Sequence, residues 1–501
     1  MPALPWWFLA VFVLGVNFAI WGTVGAIRLM ESRAFARARA RRKVIRLPRR
    51  PDGSGSGGER DDDPVVARAS LSVDNVAVLI PAHNEAAVLG ASLDAISELV
   101  PLGNIHVVSD GSTDETPQLA RDYGANVYET PHNVGKAGAL REAIEHFGLI
   151  KRYAVVLLLD ADTRIQPDYF TEALPLFEAP DVVAVAGCVQ TAKDRKLGLL
   201  GNILVGHRER IYSIGQRVLK FGQTYLRANA THIVPGFASM YRTEILPYID
   251  LNPPGLVIED FNMTFEVYQK RLGKVAFTLK AVAETQDPDR LHDYIRQTRR
   301  WAVGLWQTVR RHPPRANLFT AMLAVLLLEL ITSSAIFVLL PLLVLVLVIP
   351  DIWPAVLHWA PFLDVHSVVA AHMKLNAVLF GVAIPDYAMT CLVAILDKRP
   401  RLLFFGLFFP LLRILDAFIA LSSVPAGWIV RSNGVWKSPA RRAITAPPER
   451  TAITRGRPAL APATQDVMST AAVGDLAPAG VAAGKDSGDS PQILGERGHA
   501  S

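Results

Sequence analysis

Residues 154–162 read AVVLLLDAD, an uncharged apolar run that ends at two aspartates. A short apolar run stopped by charge is typical of a strand buried on both faces of a parallel sheet. We therefore predict a strand over Ala154–Leu159, with Asp160 and Asp162 at its carboxyl end. In open α/β sheets this end is the edge where ligands bind.

Similar apolar segments precede this strand and alternate with helical patterns. Strands are predicted at Val76–Ile80, Ile105–Ser109 and Asn126–Tyr128, and a helix at Lys136–His146. Strands and helices that alternate at this spacing indicate βαβ units. The sequence therefore predicts an α/β fold with a mostly parallel, Rossmann-like sheet.

Polar side chains follow several of these strands. Glu85, Asp110, Asp160 and Asp162 lie just beyond strand ends, and Lys136 lies between glycines at a helix start. Each alone also fits an ordinary helix cap, turn or solvated loop. Together they predict a site for an anionic ligand with a hard cation such as Mg²⁺ or Mn²⁺, which prefers carboxylates and phosphates.

Composition and charge exclude several classes of protein. The chain has 501 residues, 50% of them hydrophobic, a mean hydropathy of +0.25 and two widely separated cysteines. A disordered polymer and a disulfide-stapled scaffold are therefore excluded. The net charge of +6 comes from residues 28–50, which hold ten Lys or Arg and one Glu. This patch adjoins an apolar segment and carries one aromatic residue, so it predicts membrane orientation and not nucleic-acid binding.

Apolar segments near both ends predict membrane spans. Pro5–Ile27 is uncharged and matches the ~20 residues that a helix needs to cross a bilayer, so we predict an uncleaved anchor. The basic residues after it predict an N-terminus outside and a cytoplasmic domain that follows. Three further apolar stretches are Leu318–Ile349, Val368–Leu396 and Leu402–Val430.

These features divide the chain into five segments. They are an N-terminal transmembrane anchor (1–27), a basic juxtamembrane segment with a flexible linker (28–74), a cytosolic α/β domain (75–312), a transmembrane region of about three spans (313–432) and a basic, then disordered tail (433–501). The last apolar stretch contains charges and prolines, which leaves the number of spans and the side of the C-terminus open. Asp386, Arg413 and Asp416 either line a channel or form ion pairs between helices.

Six short motifs carry a resemblance to a known family. They are PAHNE (81–85), DGSTD (110–114), NVGKAGAL (133–140), DAD (160–162), IED (258–260) and QTRRW (297–301). In this order they resemble the inverting, membrane-bound family 2 glycosyltransferases. The pattern is most similar to the processive synthases of cellulose, hyaluronan, chitin oligosaccharide and poly-N-acetylglucosamine. It covers about residues 75–310.

The resemblance implies a GT-A fold, a nucleotide-sugar donor that is usually UDP-linked, and Mg²⁺ or Mn²⁺ as cofactor. Asp162 would bind the metal ion, which neutralises charge as the diphosphate leaves. The nucleotide-sugar would contact Pro81, Ala82, Glu85, Asp110, Lys136 and Asp160.

The resemblance also assigns an acceptor side. Asp260 would be the base, and we expect burial to raise its pKa only modestly. The usual family pattern has Thr where this chain has Ile258. The acceptor and diphosphate would contact Gly236, Glu259, Gln297, Arg300 and Trp301. Glu259 and Asp260 also fit the acidic first turn of a helix, and the predicted helix Asp293–Arg310 also fits an interfacial amphipathic helix.

The expected function is transfer of a hexose or N-acetylhexosamine from a UDP-sugar to a growing polysaccharide, processively and coupled to export. The alternative is transfer of one sugar to a polyprenyl-phosphate or glycolipid. A transporter or channel would leave the cytosolic motifs unexplained. Expected partners are the UDP-sugar, a polysaccharide or lipid-linked acceptor, the bilayer and accessory export subunits, but no nucleic acid. The expected location is the inner or plasma membrane, as a multi-pass protein with a cytoplasmic catalytic domain.

Overall fold

The computed structural model of the protein describes residues 5–44, 71–193 and 196–430. The predicted tail (433–501) and most of the predicted linker lie outside these ranges.

The described residues form one sheet of eight strands, in the order β3-β2-β1-β4-β7-β6-β8-β5. The strands are β1 (Val76–Ala82), β2 (Ile105–Ser109), β3 (Asn126–Glu129), β4 (Val155–Leu159), β5 (Arg164–Ile165), β6 (Val182–Thr191), β7 (Ala238–Arg242) and β8 (Lys274–Thr285). Strands β3, β2, β1 and β4 are parallel, and β7 runs antiparallel between β4 and β6. The predicted α/β class with a mostly parallel sheet is confirmed.

Helices cover both faces of the sheet and continue beyond it. They are α1 (Trp6–Leu14), α2 (Val16–Val44), α3 (Ala86–Ser97), α4 (Thr116–Asp122), α5 (Gly135–His146), α6 (Leu149–Arg152), α7 (Tyr169–Ala173), α8 (Leu199–Ile214), α9 (Phe221–Gln223), α10 (Glu259–Gln269), α11 (Leu291–Arg311), α12 (Leu318–Ile352), α13 (Ala360–His372), α14 (Leu375–Val378), α15 (Ile384–Leu396), α16 (Arg401–Phe405) and α17 (Phe409–Ile429).

Strand β1 is buried on both faces because its apolar side chains alternate between two cores. Val78 and Ile80 belong to the core that includes Leu89 of α3, whereas Leu79 belongs to the core that includes Leu140 of α5. Each fully buried Leu or Ile contributes about 1.5–3 kcal/mol. This two-sided burial explains why the strand contains no polar positions, and it fixes the carboxyl end of β1 at one edge of the sheet.

Within the described ranges, three helical segments are long and apolar enough to cross a membrane: Leu318–Ile352, Leu375–Leu396 and Arg401–Ile429. They correspond to the three predicted C-terminal stretches and indicate a membrane protein. The second segment begins later than expected, because the chain becomes extended at Lys374 and α13 forms a separate helix before it.

The predicted N-terminal anchor is bent. Helices Trp6–Leu14 and Val16–Ala34 meet at an angle of 65°. Gly15 lies between them with a φ of 89°, a conformation that favours glycine. Because Pro5–Ile27 is uncharged and mostly apolar, the sequence predicts a single spanning anchor and does not reveal this bend.

Side chains from two other helices satisfy the backbone groups that the bend exposes. Glu329 accepts hydrogen bonds from the backbone N–H of Asn17 at 2.8 Å and from its side-chain amide at 3.0 Å. Ser333 donates to the carbonyl of Phe12 at 3.0 Å, and Arg413 donates to that of Val13 at 3.2 Å. Such partners are required because lipid offers none to a broken helix.

Asp386, Arg413 and Asp416 in the C-terminal spans also have partners. Asp386 accepts from Arg210 at 2.9 Å and from Arg413 at 2.6 Å. Asp416 contacts His207 at 3.0 Å and Tyr294 at 2.9 Å. These contacts favour ion pairing between helices over a channel lining.

Replacing Glu329 with Leu should destabilise the protein. The change leaves the N–H of Asn17 without its acceptor, which costs about 1–3 kcal/mol. We expect the melting temperature in detergent to fall by roughly 2–6 °C, whereas Glu329→Gln, which keeps an acceptor oxygen, should restore most of the loss. Thr332→Val on the same helix is the control, because its hydroxyl bonds only within the helix. Equal melting of Glu329→Leu and wild type would show that the bend does not need this carboxylate.

Candidate active site

The carboxyl ends of β1, β2 and β4 lie at the same edge of the sheet. Ala82 of β1 is in register with Ser109 of β2, and the N–H of Asp110 donates to the carbonyl of Ala82 at 2.8 Å. The N–H of Asp160, just after β4, donates to the carbonyl of Phe237 at 2.9 Å. The edge therefore brings together the acidic residues that follow these strands.

Asp110 is fully buried and shapes the loop that leads into α5. Its carboxylate accepts from the N–H of Val134 at 2.7 Å, from the N–H of Gly135 at 2.9 Å and from the hydroxyl of Thr130 at 3.0 Å. Gly111 has a φ of 58°, and a Cβ there would lie 2.6 Å from the N of Asn133. These contacts fix the position at which α5, and with it Lys136, begins.

Lys136 connects two acidic residues from distant parts of the chain. Its Nζ lies 2.7 Å from Oδ1 of Asp160 and 3.0 Å from Oε1 of Glu259. Asp160 follows β4 and Glu259 begins α10, so this cation joins α5, the sheet and α10. The structure thus places three of the predicted site residues in direct contact.

The charges in this cluster are coupled. Burial opposes the charge of Lys136, but Asp160 and Glu259 outweigh it, so the pKa of Lys136 lies above its ordinary value. Burial also opposes ionisation of Glu259, yet Lys136 holds its pKa below the usual range. For Asp160, burial together with the nearby carboxylate of Asp162 raises the pKa despite Lys136. A further cation at this edge would therefore be stabilised.

Asp260 lies beside this cluster in the first turn of α10. Its Oδ1 accepts from the N–H of Phe261 at 2.8 Å, and its Oδ2 lies 3.4 Å from the N of Gly236. Burial and the negative charge of Glu259 raise the pKa of Asp260 to about 7. The rise exceeds the modest one expected, mainly because of the burial of the Asp260 carboxylate, to which the charge of the adjacent Glu259 adds.

Gly236 lies against the charged cluster. A Cβ at this position would lie 3.2 Å from Nζ of Lys136, 3.3 Å from Oε1 of Glu259 and 3.7 Å from Cβ of Asp260. The absence of a side chain at Gly236 is therefore what lets β7 begin close to these groups.

Asp162 is buried next to two hydroxyl groups. Its Oδ1 lies 3.4 Å from Oγ1 of Thr163, and its Oδ2 lies 3.4 Å from Oγ1 of Thr285. Within the described ranges, no group of three or more His, Cys, Asp and Glu side chains is arranged to hold a metal ion. Asp160 and Asp162 fit a Mg²⁺ or Mn²⁺ ion that also takes phosphate oxygens from a substrate, since such ions often use only one or two carboxylates.

Pro81, Ala82 and Glu85 lie at the end of β1 and in the loop after it. All three are buried, and the N–H of Glu85 donates to the hydroxyl of Thr116 at 2.9 Å. The loop is tied to the β2–α4 loop, because Oδ1 of Asn84 accepts from the N–H of Thr113 at 2.8 Å. These residues form one flank of the acidic edge.

Helix α11 carries the QTRRW motif and extends slightly beyond the predicted helix. Arg300 is exposed. Burial has the largest effect on the pKa of Glu259 and raises it, whereas Lys136 lowers it and the positive charge of Arg300 adds a smaller lowering. Gln297 and Trp301 instead contact Arg208 of α8. The helix therefore lies beside both the acidic cluster and α8.

The sequence prediction missed α8 as a source of polar contacts. Four consecutive residues, His207–Arg210, contact other parts of the fold, and Tyr212 donates to Asp287 at 2.9 Å. The available signal was the run HRER within the otherwise apolar segment LLGNILVGHRERIYSI. A run of charge in such a helix indicates buried polar partners.

The part of the chain that carries this edge is similar to known proteins. Residues 77–249 match the family described as Glycosyl transferase family 2. The uncharacterized glycosyltransferase YaiP of Escherichia coli (strain K12) is 28% identical over 240 residues, which cover 47% of this chain and 57% of the relative.

Two further relatives are similar over stretches of comparable length. Hyaluronan synthase of Streptococcus pyogenes is 26% identical over 246 residues, covering 45% of this chain and 56% of the relative. The poly-beta-1,6-N-acetyl-D-glucosamine synthase of Staphylococcus epidermidis is 23% identical over 252 residues, covering 48% and 58%. The chain thus spans little more than half the length of these relatives.

Among solved structures, the mannosyltransferase PcManGT from Pyrobaculum calidifontis, in complex with GDP-Man and Mn²⁺, is 18% identical. It aligns with a TM-score of 0.45 over 81% of this chain and 99% of that one.

Replacing Asp110 with Ala should loosen the loop before α5. The N–H groups of Val134 and Gly135 would lose their acceptor, and we expect their hydrogen exchange to become about 10–100-fold faster. Asp122→Ala is the control, since within the described ranges that carboxylate accepts a hydrogen bond only from Gln118, four residues earlier. Unchanged protection in Asp110→Ala would mean that other contacts order this loop.

Proposed function

We propose that the protein is a membrane-embedded inverting hexosyltransferase, because residues 77–249 match the family described as Glycosyl transferase family 2. It transfers a hexose or N-acetylhexosamine from a UDP-sugar to a growing polysaccharide, processively and with export of the product. One observation carries the proposal: Lys136, Asp160 and Glu259 form a bridged cluster beside Asp260, whose pKa is raised to about 7.

The donor binds at the edge formed by β1, β2 and β4. Pro81, Ala82 and Glu85 receive the uracil and ribose, and Asp110 acts on the nucleotide mainly through the loop that it holds. Lys136 and Asp160 contact the diphosphate and donor sugar. When bound by Asp162 together with Asp160, Mg²⁺ or Mn²⁺ supplies charge neutralisation at the leaving diphosphate.

Asp260 acts as the general base. Its carboxylate takes the proton from the acceptor hydroxyl while the oxygen attacks C1 of the donor sugar from the face opposite the leaving group. The C1–O bond to the diphosphate breaks, UDP leaves with the electron pair, and the configuration at C1 inverts. Lys136 keeps Glu259 ionised, and this negative charge maintains the basicity of Asp260.

Helix α11 provides the acceptor side. Arg300 contributes positive charge near the diphosphate, while Gln297 and Trp301 contact the acceptor sugar. Gly236 leaves space for close approach of the sugars to Asp260. Since α11 ends only a few residues before α12, the acceptor end of the site lies close to the first of the candidate spans.

The membrane arrangement supports a synthase of polymers. We infer a multi-pass protein of the plasma or inner membrane with its catalytic domain in the cytoplasm, where UDP-sugars are available. The similarity to hyaluronan synthase and poly-beta-1,6-N-acetyl-D-glucosamine synthase supports a polysaccharide product. Accessory export subunits are part of the proposal as further partners.

Purified protein in detergent, incubated with a panel of UDP-sugars and Mg²⁺ or Mn²⁺, should release UDP and form a polymer whose linkage can be analysed. Asp162→Ala and Asp260→Asn should each lower transfer by at least about 100-fold while the protein stays folded. Asp168→Ala, at an exposed acidic residue, is the control. Wild-type turnover in either variant would overturn its assigned role, and a product with a single added sugar would favour the lipid-acceptor alternative.

The acid side of the pH profile should report Asp260. Only the ionised carboxylate accepts a proton, so kcat/KM should fall as the pH drops through about 7. Glu259→Gln removes the negative charge that raises this pKa, and we expect the midpoint to move to lower pH. If the midpoint does not move in Glu259→Gln, the fall in kcat/KM at low pH does not arise from the interaction of Asp260 with Glu259.

A further inference from the structure

Arg208 of α8 is a buried cation outside the machinery described so far. Its residue is 3% exposed, and among the described residues its guanidinium forms no salt bridge. One Nη donates to the hydroxyl of Thr298 at 2.7 Å and lies 3.4 Å from Oε1 of Gln297, while its Nε has no hydrogen-bond partner. Burying such a charge is costly, so its surroundings must compensate it.

Aromatic rings supply the rest of its surroundings. The guanidinium carbon lies 4.6 Å from the ring centre of Tyr294 and 4.5 Å from that of Trp301, both on α11. A planar guanidinium stacks on such rings and donates hydrogen bonds in its own plane at the same time. Arg208 therefore contacts four residues of one stretch of α11, including both ends of the QTRRW motif.

The position of the Arg208 guanidinium is fixed both by the ring of Tyr294 and by its own helix, α8. Tyr294 donates to Asp416 at 2.9 Å, which fixes the ring beneath Arg208. On α8 itself, His207 contacts Asp416 and Arg210 contacts Asp386, so the helix is fixed to two spans. The position of Arg208 is consequently determined by the membrane region, and Arg208 in turn contacts the indole of Trp301.

We propose that Arg208 is a positioning residue that fixes the indole of Trp301 for stacking on the acceptor sugar. This inference rests on the proposed function, in which Trp301 contacts the acceptor. Arg208 covers one part of the ring, and the remaining part of the Trp301 side chain is partly exposed. A fixed ring loses no side-chain freedom when the sugar binds, which strengthens binding.

The test separates acceptor binding from donor binding. Arg208→Gln should raise the KM for an added oligosaccharide of the transferred sugar by about five- to tenfold, with the KM for the UDP-sugar changed less than twofold. Arg208→Lys keeps the charge without the planar stack, so its acceptor KM should lie between those of the wild type and of Arg208→Gln. Arg217→Gln is the matched control, because this arginine is exposed and pairs with Asp397.

A double variant tests whether Arg208 acts through the indole. In a Trp301→Ala background, Arg208→Gln should add no further increase in acceptor KM. An independent, multiplicative increase would overturn the inference, and so would a raised donor KM, which would assign Arg208 to the diphosphate. If Arg208→Gln does not fold, the acceptor KM of Arg208→Lys, measured with and without Trp301→Ala, decides. An inactive wild type with every UDP-sugar would refute the proposed function, whereas an active wild type with unchanged Arg208 variants would refute only this inference.

Discussion

The contact of Lys136 with Asp160 and Glu259 is the constraint on which the site depends. Three acidic residues, Asp160, Glu259 and Asp260, come from two segments about 100 positions apart, and like charges so close together repel. The ammonium at 2.7 Å and 3.0 Å compensates part of this repulsion. It thereby allows α10 to begin against the end of β4. Without this cation the same residues would favour separation of α10 from the sheet.

The same contact gives the neighbouring carboxylates of Glu259 and Asp260 different pKa values. Lys136 lowers the pKa of Glu259 against the effect of burial, whereas Asp260 makes no ion pair within the described ranges and its pKa is raised to about 7. One acidic residue is thus kept ionised, and the next titrates near neutral pH. A base that must accept a proton and then release it needs a pKa in this range. The different environments of the two adjacent residues, and not their chemistry, thus give them opposite pKa shifts.

The sequence predicted those features that depend on local pattern. Strand β2 was predicted at its observed bounds, and β1 and β4 nearly so, because a buried parallel strand is apolar throughout and stops at polar residues. The site residues at the strand ends followed from topology. The bend at Gly15 did not, because its partner Glu329 is 312 positions from Asn17. Similarly, the contacts of Arg208 with α11 span about 90 positions, and the pattern of α8 alone does not identify them.

Helix α8 shows why these distant contacts matter. Successive residues on a helix point about 100° apart, so the four residues His207–Arg210 reach different neighbours. His207 contacts α17, Arg208 contacts α11, Glu209 pairs with Arg399 between the spans, and Arg210 contacts α15. Hydrogen bonds and ion pairs require particular directions, whereas apolar contacts tolerate sliding. The run therefore specifies the position of α8 between α11 and the spans more strictly than apolar contacts alone would.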